Sequence, residues 1–274
     1  MNKIQQLLLS SQPLVMGILN TTPDSFSDGG QFDVADNALN HAQQMIAEGA
    51  DIIDIGGEST RPGAAPVSVE DELQRVIPVI ESIRQQSDIA ISIDTSKAEV
   101  MLAAIKAGAD MVNDVNALRA EHAIATCAQL GVPVCLMHMQ GKPRVMQKKP
   151  QYKNVVEDIK QFLQQRVDNC VQAGIKKEQI ILDPGFGFGK TLEHNLSLLK
   201  HLAEFSVTGL PLLIGISRKS MLGTITNAEV NDRLAGSIAA AVLSYGKGAK
   251  IFRVHDVKQT VDALKVCQAV SIAE

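Results

Sequence analysis

One connection recurs along this chain and restricts its possible folds more than any other feature. An amphipathic stretch ends near a glycine, and a short apolar run begins a few residues later; the glycines are Gly49, Gly108, Gly131, Gly174 and Gly248. Glycine supplies the left-handed conformation in which many helices end, and a short apolar run bounded by turn formers indicates a strand. The repetition predicts a chain in which helices and strands alternate.

Eight apolar runs can be interpreted as strands. They are Leu14 to Leu19, Asp51 to Ile55, Ile89 to Asp94, Asp110 to Asn113, Pro133 to Met137, Ile180 to Asp183, Pro211 to Ile216 and Lys250 to Val254. The stretches with helical periodicity are Val34 to Glu48, Val69 to Gln86, Lys97 to Ala107, Glu121 to Leu130, Val155 to Ala173, Leu192 to Glu204, Asp232 to Tyr245 and Val257 to Ala273.

This alternation predicts an α/β fold, a (β/α)8 TIM barrel, as a single domain over residues 1–274. A doubly wound open sheet is the alternative. The first strand is not followed by a Gly-x-Gly-x-x-Gly sequence, and this counts against the open sheet.

Composition argues against several classes of protein. The net charge is −4 with charges interspersed, and the chain has no Trp and only two Tyr, so we expect no nucleic-acid partner. No apolar run is long enough to span a membrane, and the N-terminal apolar run is too short for a secretion signal. The four cysteines, Cys127, Cys135, Cys170 and Cys267, lack metal or redox spacing. We therefore expect free thiols, no membrane partner and a cytoplasmic location.

Polar residues concentrate where the strands end. The run from Val15 to Leu19 stops at Asn20 and continues as a polar, glycine-ended loop with Phe26 as its isolated aromatic residue. Three later strand-to-helix connections are also long and polar: Gly56 to Ser68, His138 to Lys153 and Asp183 to Thr191. Because barrel enzymes carry their active sites at the carboxyl ends of the strands, we expect the active site there.

Two sets of side chains at these strand ends suit two kinds of ligand group. Asp94 shares the inward face of its strand with Ala90 and Ser92. With Asn113 and Asp183 it would suit a flat heterocycle carrying N–H groups, since carboxylates accept hydrogen bonds and an amide both donates and accepts. The sequence leaves open whether Asp54 and His138 are structural or site residues.

The basic side chains form the second set. Arg253 and His255 lie two residues apart on the last strand and face the same way, and the Arg218-Lys219 pair follows the seventh strand. The ends of strands seven and eight are a common phosphate site in barrels. With Arg61 from the second loop, these residues predict an anion clamp.

Motifs along nearly the whole chain resemble those of the dihydropteroate synthases, the folate-pathway enzymes that sulfonamides inhibit. The matching segments are Val15 to Gly30, Gly49 to Pro62, Ile93-Asp94-Thr95, Asn113-Asp114-Val115, Met137-His138-Met139, Asp183 to Phe188, Gly215 to Ser220 and Arg253-Val254-His255.

The resemblance implies condensation of dihydropterin-6-ylmethyl diphosphate with 4-aminobenzoate, which releases diphosphate and forms dihydropteroate. It also implies a homodimer formed through helices toward the C-terminus. The catalytic residues it implies are Asp94, Lys219, Arg253 and His255. The implied ligands of the pterin diphosphate are Thr60, Asp94, Asn113, Asp183, Lys219, Arg253, Val254 and His255, with Asn20 meeting the diphosphate through Mg²⁺.

The resemblance further implies that two loops, Thr21 to Asp36 and Glu58 to Ser68, close over the site. The residues it implies for the aminobenzoate pocket are Phe26, Arg61, Pro62, Phe188 and Ser220. We hypothesise an S_N1-like reaction in which Asp94 stabilises the cationic pterin methylene and the loops exclude water.

Three rival functions share some of these features. A pterin-binding methyltransferase module would share the Asp and Asn pocket but would have no use for a diphosphate clamp. A Schiff-base aldolase would use Lys219 as its nucleophile. A pterin-binding protein without activity would keep the pocket but release no diphosphate.

Overall fold

The computed structural model confirms the (β/α)8 barrel. It describes residues 2–22, 31–60, 63–141, 146–147 and 150–273, without the side chains of residues 31–35 and 207. All strands pair in parallel, in the order β6-β5-β4-β3-β2-β1-β8-β7. They are β1 Leu14–Asn20, β2 Ile52–Gly56, β3 Ala90–Asp94, β4 Met111–Asp114, β5 Val134–Met137, β6 Ile180–Asp183, β7 Leu213–Ile214 and β8 Ile251–Val254. A parallel bridge between Leu182 and Leu212 closes the barrel.

Helices surround the barrel on its outer face, except the first, which lies across one end. They are α1 Lys3–Leu9, α2 Gln31–Ala47, α3 Val69–Gln86, α4 Ala98–Ala107, α5 Ala123–Leu130, α6 Val155–Gln172, α7 Leu192–Lys200, α8 Ser220–Thr226, α9 Leu234–Tyr245 and α10 Val257–Ser271. The predicted helices correspond to α2–α7, α9 and α10. The periodicity analysis missed α1 and α8, two seven-residue helices, because a pattern over two turns is weak.

The interior of the barrel is divided into an apolar lower part and a polar upper part. One cluster of buried side chains fills the lower part: Leu14, Met16, Ile52, Ala90, Met111, Cys135, Ile181, Leu213 and Ile251. Helix α1 covers this end, where Ile4 is fully buried and Leu7 and Leu8 pack against the cluster. The apolar filling makes the lower part a packed core and restricts the ligand site to the upper end.

Strand register brings inward-facing residues into level rows. Asn20 lies beside Gly56, Gly56 beside Asp94, and Asp94 beside Asn113. Asp54 lies two residues below Gly56 on the same face of β2, level with Ser92. The outward-facing strand residues pack with the helices in a separate and larger core. Within the described ranges, no helix has the length and apolar character needed to cross a membrane.

Candidate active site

A chain of hydrogen bonds joins the inward polar residues at the carboxyl ends of the strands. Arg253 lies between two carboxylates: its Nε donates to Asp54 Oδ2 at 2.6 Å and its Nη2 to Asp94 Oδ2 at 2.7 Å. Asn113 Nδ2 also donates to the Asp54 carboxylate, at 3.2 Å from Oδ2 and 3.4 Å from Oδ1. Asp54 is fully buried, so it orients both the guanidinium and the amide.

The protonation states of the residues in this hydrogen-bonded group depend strongly on one another. Burial lowers the pKa of Arg253, but the Asp54 and Asp94 carboxylates outweigh burial and raise that pKa above its usual value. Burial raises the pKa of Asp94 to about 7, a shift that Arg253 opposes and Asp54 increases. A group at this position can change its protonation near neutral pH, as groups at functional sites often do.

Asp183 ends β6 on the other side of the pocket. Its Oδ1 accepts a hydrogen bond from the Gly185 backbone N–H at 2.7 Å. Burial raises the pKa of Asp183 to about 6, while the Gly185 N–H and the Lys219 and Lys190 ammonium groups act to lower it. The loop that follows β6 therefore helps to keep this carboxylate ionised.

Lys219 approaches the same pocket from the segment after β7. Its Nζ lies 4.1 Å from the centre of the Phe188 ring, a cation–π contact. Desolvation, together with the Arg253 charge, lowers the pKa of Lys219 to about 8 against the pull of Asp183 and Asp94. Lys219 is thus a cation facing two acceptors of a ligand pocket, held on an aromatic surface.

His255 is held as a neutral imidazole. Burial and the charges of Arg253 and Arg218 lower its pKa to about 4. Ser217 Oγ accepts the His255 backbone N–H at 3.2 Å and lies 3.0 Å from Nδ1. The hydroxyl hydrogen is then available to Nδ1, so the ring proton is assigned to Nε2 and can be donated to a ligand. An ion pair between Arg218 and Asp256 braces the same segment.

The remaining predicted site residues differ in their placement. Asn20 and Thr60 are half-buried near the strand ends, Phe188 packs among methionines, and Ser220 is exposed at the start of α8. Val254 faces the outer core, so only its main chain can face the site. Phe26, Arg61 and Pro62 lie outside the described residues, as do parts of the two loops predicted to close.

His138 is turned away from this pocket. Its Nδ1 lies 3.0 Å from Lys190 Nζ, and its ring meets the edge of Phe162 on α6 at 4.9 Å between centroids. Burial and the nearby Lys190 charge lower its pKa to about 2. Such a neutral, enclosed imidazole is a structural residue.

Comparison with known proteins identifies the family. The family model described as "Pterin binding enzyme" matches residues 16–255. The dihydropteroate synthase of Escherichia coli strain K12 is 55% identical over 259 residues, which are 94% of this chain and 92% of that protein. The chain belongs to the dihydropteroate synthase family. It is a transferase that condenses the pterin diphosphate with 4-aminobenzoate to give dihydropteroate in folate biosynthesis.

Solved dihydropteroate synthases share the whole barrel. The Yersinia pestis enzyme, crystallised as a sulfonamide drug complex, is 53% identical with a TM-score of 0.92, and the match covers 96% of each chain. The Xanthomonas albilineans enzyme with 4-aminobenzoic acid is 50% identical with a TM-score of 0.92, covering 96% of this chain and 95% of that one. The two rivals with other chemistry, the methyltransferase module and the aldolase, are not favoured by these relatives.

Sequence reasoning missed two parts of this synthase site. The sequence gives no separate signal for Ser217, although this residue fixes the orientation of His255. Met137 is identifiable as a strand-end residue level with Asp183. The sequence does not predict that Met137, Met139 and Met146, with Val115 beside them, form an apolar wall around Phe188.

Proposed function

We propose that the pterin diphosphate binds across the upper end of the barrel, with the pterin on the carboxylate side and the diphosphate on the basic side. The observation that carries this assignment is the chain from Asn113 through Asp54 and Arg253 to Asp94, which brings donors and acceptors to one buried surface. Pre-oriented polar groups of this kind bind a ligand without reorganising first.

The pterin ring is assigned to Asp94, Asn113 and Asp183. Of the two carboxylate oxygens of Asp183, only Oδ1 accepts a hydrogen bond from the described residues, which supports the use of Oδ2 by a ligand N–H. Lys219 would lie beside the ring, and the methionine wall would cover its apolar surface.

The diphosphate is assigned to Arg253, His255 and Thr60. The neutral His255 would donate one hydrogen bond from Nε2, and Arg253 would supply positive charge as the C–O bond of the methylene breaks and both electrons leave with the diphosphate. The 4-aminobenzoate nitrogen then forms the new C–N bond and loses a proton. Asp94 would stabilise the positive charge left on the methylene.

Mg²⁺ is part of this proposal through Asn20. No group of three His, Cys, Asp or Glu residues that could hold a metal occurs in the described part of the chain. Mg²⁺ commonly keeps several waters and takes the rest of its ligands from substrate phosphates, so one amide oxygen at the end of β1 fits such a site. Bound Mg²⁺ would neutralise the charge that develops on the diphosphate.

The aminobenzoate pocket is assigned to Phe188 and Ser220 together with Phe26, Arg61 and Pro62. Phe188 lies against Lys219, and Ser220 is exposed at the amino end of α8. Both residues are neighbours of Lys219, Phe188 by contact and Ser220 in the chain, which supports the assignment.

Calorimetric titration tests the division between the two ligand halves. Asp183→Asn should weaken binding of the pterin diphosphate and of a pterin without diphosphate alike, since it places an amide donor against ring N–H groups. Arg253→Lys, which keeps the charge but loses the planar fork, should weaken the diphosphate-bearing ligand much more. Unchanged pterin affinity in the first variant, or equal losses for both ligands in the second, would contradict the assignment.

A homodimer and a cytoplasmic location complete the proposal. Helices α8, α9 and α10 expose large apolar side chains, among them Ile225, Leu243, Val266 and Val270, and exposed apolar patches mark interaction sites. Val266→Lys should convert the dimer to a monomer in sedimentation, while Val171→Lys on α6 should not; a dimer that survives the first change would contradict this surface.

The free thiols of the four cysteines support a reducing compartment, and therefore the proposed cytoplasmic location.

A further inference from the structure

Lys190 is a buried cation that the proposed chemistry does not use. It lies in the loop between β6 and α7 and is 3% exposed. Its Nζ lies 2.7 Å from Gly185 O, 3.0 Å from Phe188 O and 3.0 Å from His138 Nδ1, with His138 O at 3.3 Å. None of the ion pairs among the described residues includes it.

Three N–H groups of an ammonium match the three nearest acceptors. His138 is neutral, so its Nδ1 can accept and its ring proton is assigned to Nε2. Burying a lysine is costly unless its hydrogen bonds are satisfied, and here they are satisfied entirely by one loop and the end of β5. Lys190 therefore ties the Gly185 to Phe188 segment to the neighbouring strand.

That segment contacts the site at two points: Gly185 N–H donates to Asp183 Oδ1, and the Phe188 ring contacts the Lys219 ammonium. Gly187 also lies close to Lys219, since a Cβ added there would be 3.2 Å from Lys219 Cδ. Asn195 holds Gly187 N–H at 2.8 Å and Tyr152 holds Gly189 O at 2.8 Å. Lys190 alone of these tethers binds the carbonyls of Gly185 and Phe188.

We propose that Lys190 is a positioning residue for the synthase reaction, holding the β6–α7 loop so that Asp183 and Lys219 face the pterin and Phe188 faces the aminobenzoate. It touches no reacting atom and acts through the loop. This inference rests on the proposed role of Asp183 in pterin binding.

Burial lowers the pKa of Lys190 to about 7, so Lys190 is a cation in the acid range where Asp183 takes up its proton. Its charge there gives this role a signature that packing alone would not have. Lys190, Lys219 and Arg253 are the cations that lower the pKa of Asp183. Cys135, on β5 beside β6, also faces the carboxylate, and burial raises its pKa so that it stays a neutral thiol. Removing the Lys190 charge should therefore raise the pH at which pterin binding is lost on acidification.

Three variants separate the contributions of hydrogen bonding and charge. Lys190→Met removes both, Lys190→Gln keeps an amide donor without the charge, and Lys200→Met makes the same change at an exposed position at the far end of α7. Calorimetry across pH 5 to about 8 gives the affinity for the pterin diphosphate, and circular dichroism confirms that each variant is folded.

We expect Lys190→Met to weaken pterin binding by on the order of tenfold and to raise the pH at which binding is lost on acidification, here called the acid limb of the binding curve. Lys190→Gln should recover part of the affinity, but its acid limb should remain at the higher pH. Lys200→Met should match the wild type in both affinity and acid limb. A folded Lys190→Met, or Lys190→Gln if the first variant does not fold, with wild-type affinity and limb would overturn the inference. Asp183→Asn is measured in parallel: if it too binds normally, the proposed role of Asp183 has failed, and if it does not, only the role of Lys190 has.

Discussion

Asp54 determines how charge is distributed over the whole pocket. It is fully buried and accepts hydrogen bonds from Arg253 and Asn113. Its inward position could be predicted from the alternation along β2, because it shares a face with Ile52 and Gly56. Its partnership with Arg253 could not, since these residues are 199 positions apart in the chain and meet only when the barrel closes.

Replacing Asp54 with Asn should therefore have two effects. The amide oxygen of Asn can still accept from Arg253 and Asn113, but the Arg253 guanidinium loses its fully buried carboxylate partner. The free energy of unfolding should therefore fall by about 2 kcal/mol or more. The Asp54 carboxylate also raises the pKa of Asp94, so that pKa should fall. Urea unfolding and carbon NMR of the Asp94 carboxyl measure the two effects.

Asp262→Asn is the matched control. This carboxylate is exposed and pairs with Lys258 on α10, and such surface changes alter stability by no more than about 0.5 kcal/mol. An Asp94 pKa that is the same in Asp54→Asn and in the wild type would contradict this account of the pocket.

At the scale of elements, the loop after β6 depends on one glycine. Gly185 has φ of +72°, and a Cβ there would overlap the His138 carbonyl oxygen. This close approach of the loop to the residue that follows β5 could not be predicted from the sequence, because Gly185 and His138 are far apart in the chain and meet only when the barrel forms.

Gly185→Ala should thus disrupt the loop, while Gly131→Ala should not. Gly131 has a similar φ of +64° but no atom within 4 Å of its Cβ position, so it incurs only the left-handed strain of about 1 to 2 kcal/mol. Urea unfolding and pterin calorimetry compare the two. Equal losses of stability and unchanged pterin affinity in both variants would show that the close contact is unimportant.

Helix α1 seals the barrel at the end opposite the site, and the periodicity analysis missed it. Its side chains that pack on the barrel, the buried Ile4 and the partly buried Leu7 and Leu8, follow the helical spacing, but only seven residues carry the pattern. Ile4→Ala should lower the free energy of unfolding by about 2 to 5 kcal/mol, leaving pterin affinity unchanged. Leu9 in the same helix is 74% exposed, so Leu9→Ala should change neither the free energy of unfolding nor the pterin affinity. Weakened pterin binding in Ile4→Ala would contradict this prediction and show that the two ends of the barrel are coupled.

At the scale of the whole molecule, the burial of carboxylates makes the ligand-free protein sensitive to pH. The pKa values of Asp94 and Asp183 are about 7 and about 6 in the folded state, against 3.8 as their ordinary value. At these two groups the folded state therefore binds more protons between these limits, and their contribution to the free energy of unfolding falls as pH rises through them. His138 and His255, whose pKa values are lowered by burial, contribute in the opposite direction.

This sign gives a direct test. Between pH 4 and about 7 the contribution of these two groups to the free energy of unfolding should decline as pH rises, and Asp183→Asn should flatten the decline. Urea unfolding at a series of pH values measures it. A decline as steep in Asp183→Asn as in the wild type would show that Asp183 ionises normally in the folded protein.

The central claim is that the buried polar surface at the strand ends carries the synthase reaction, and steady-state turnover tests it most directly. Diphosphate release and dihydropteroate formation are followed together with Mg²⁺, pterin diphosphate and 4-aminobenzoate. The account predicts equal amounts of both products in the wild type, turnover reduced at least about 30-fold in Asp183→Asn, as about 2 kcal/mol implies, and unchanged turnover in Asp262→Asn. Full turnover in Asp183→Asn would contradict it.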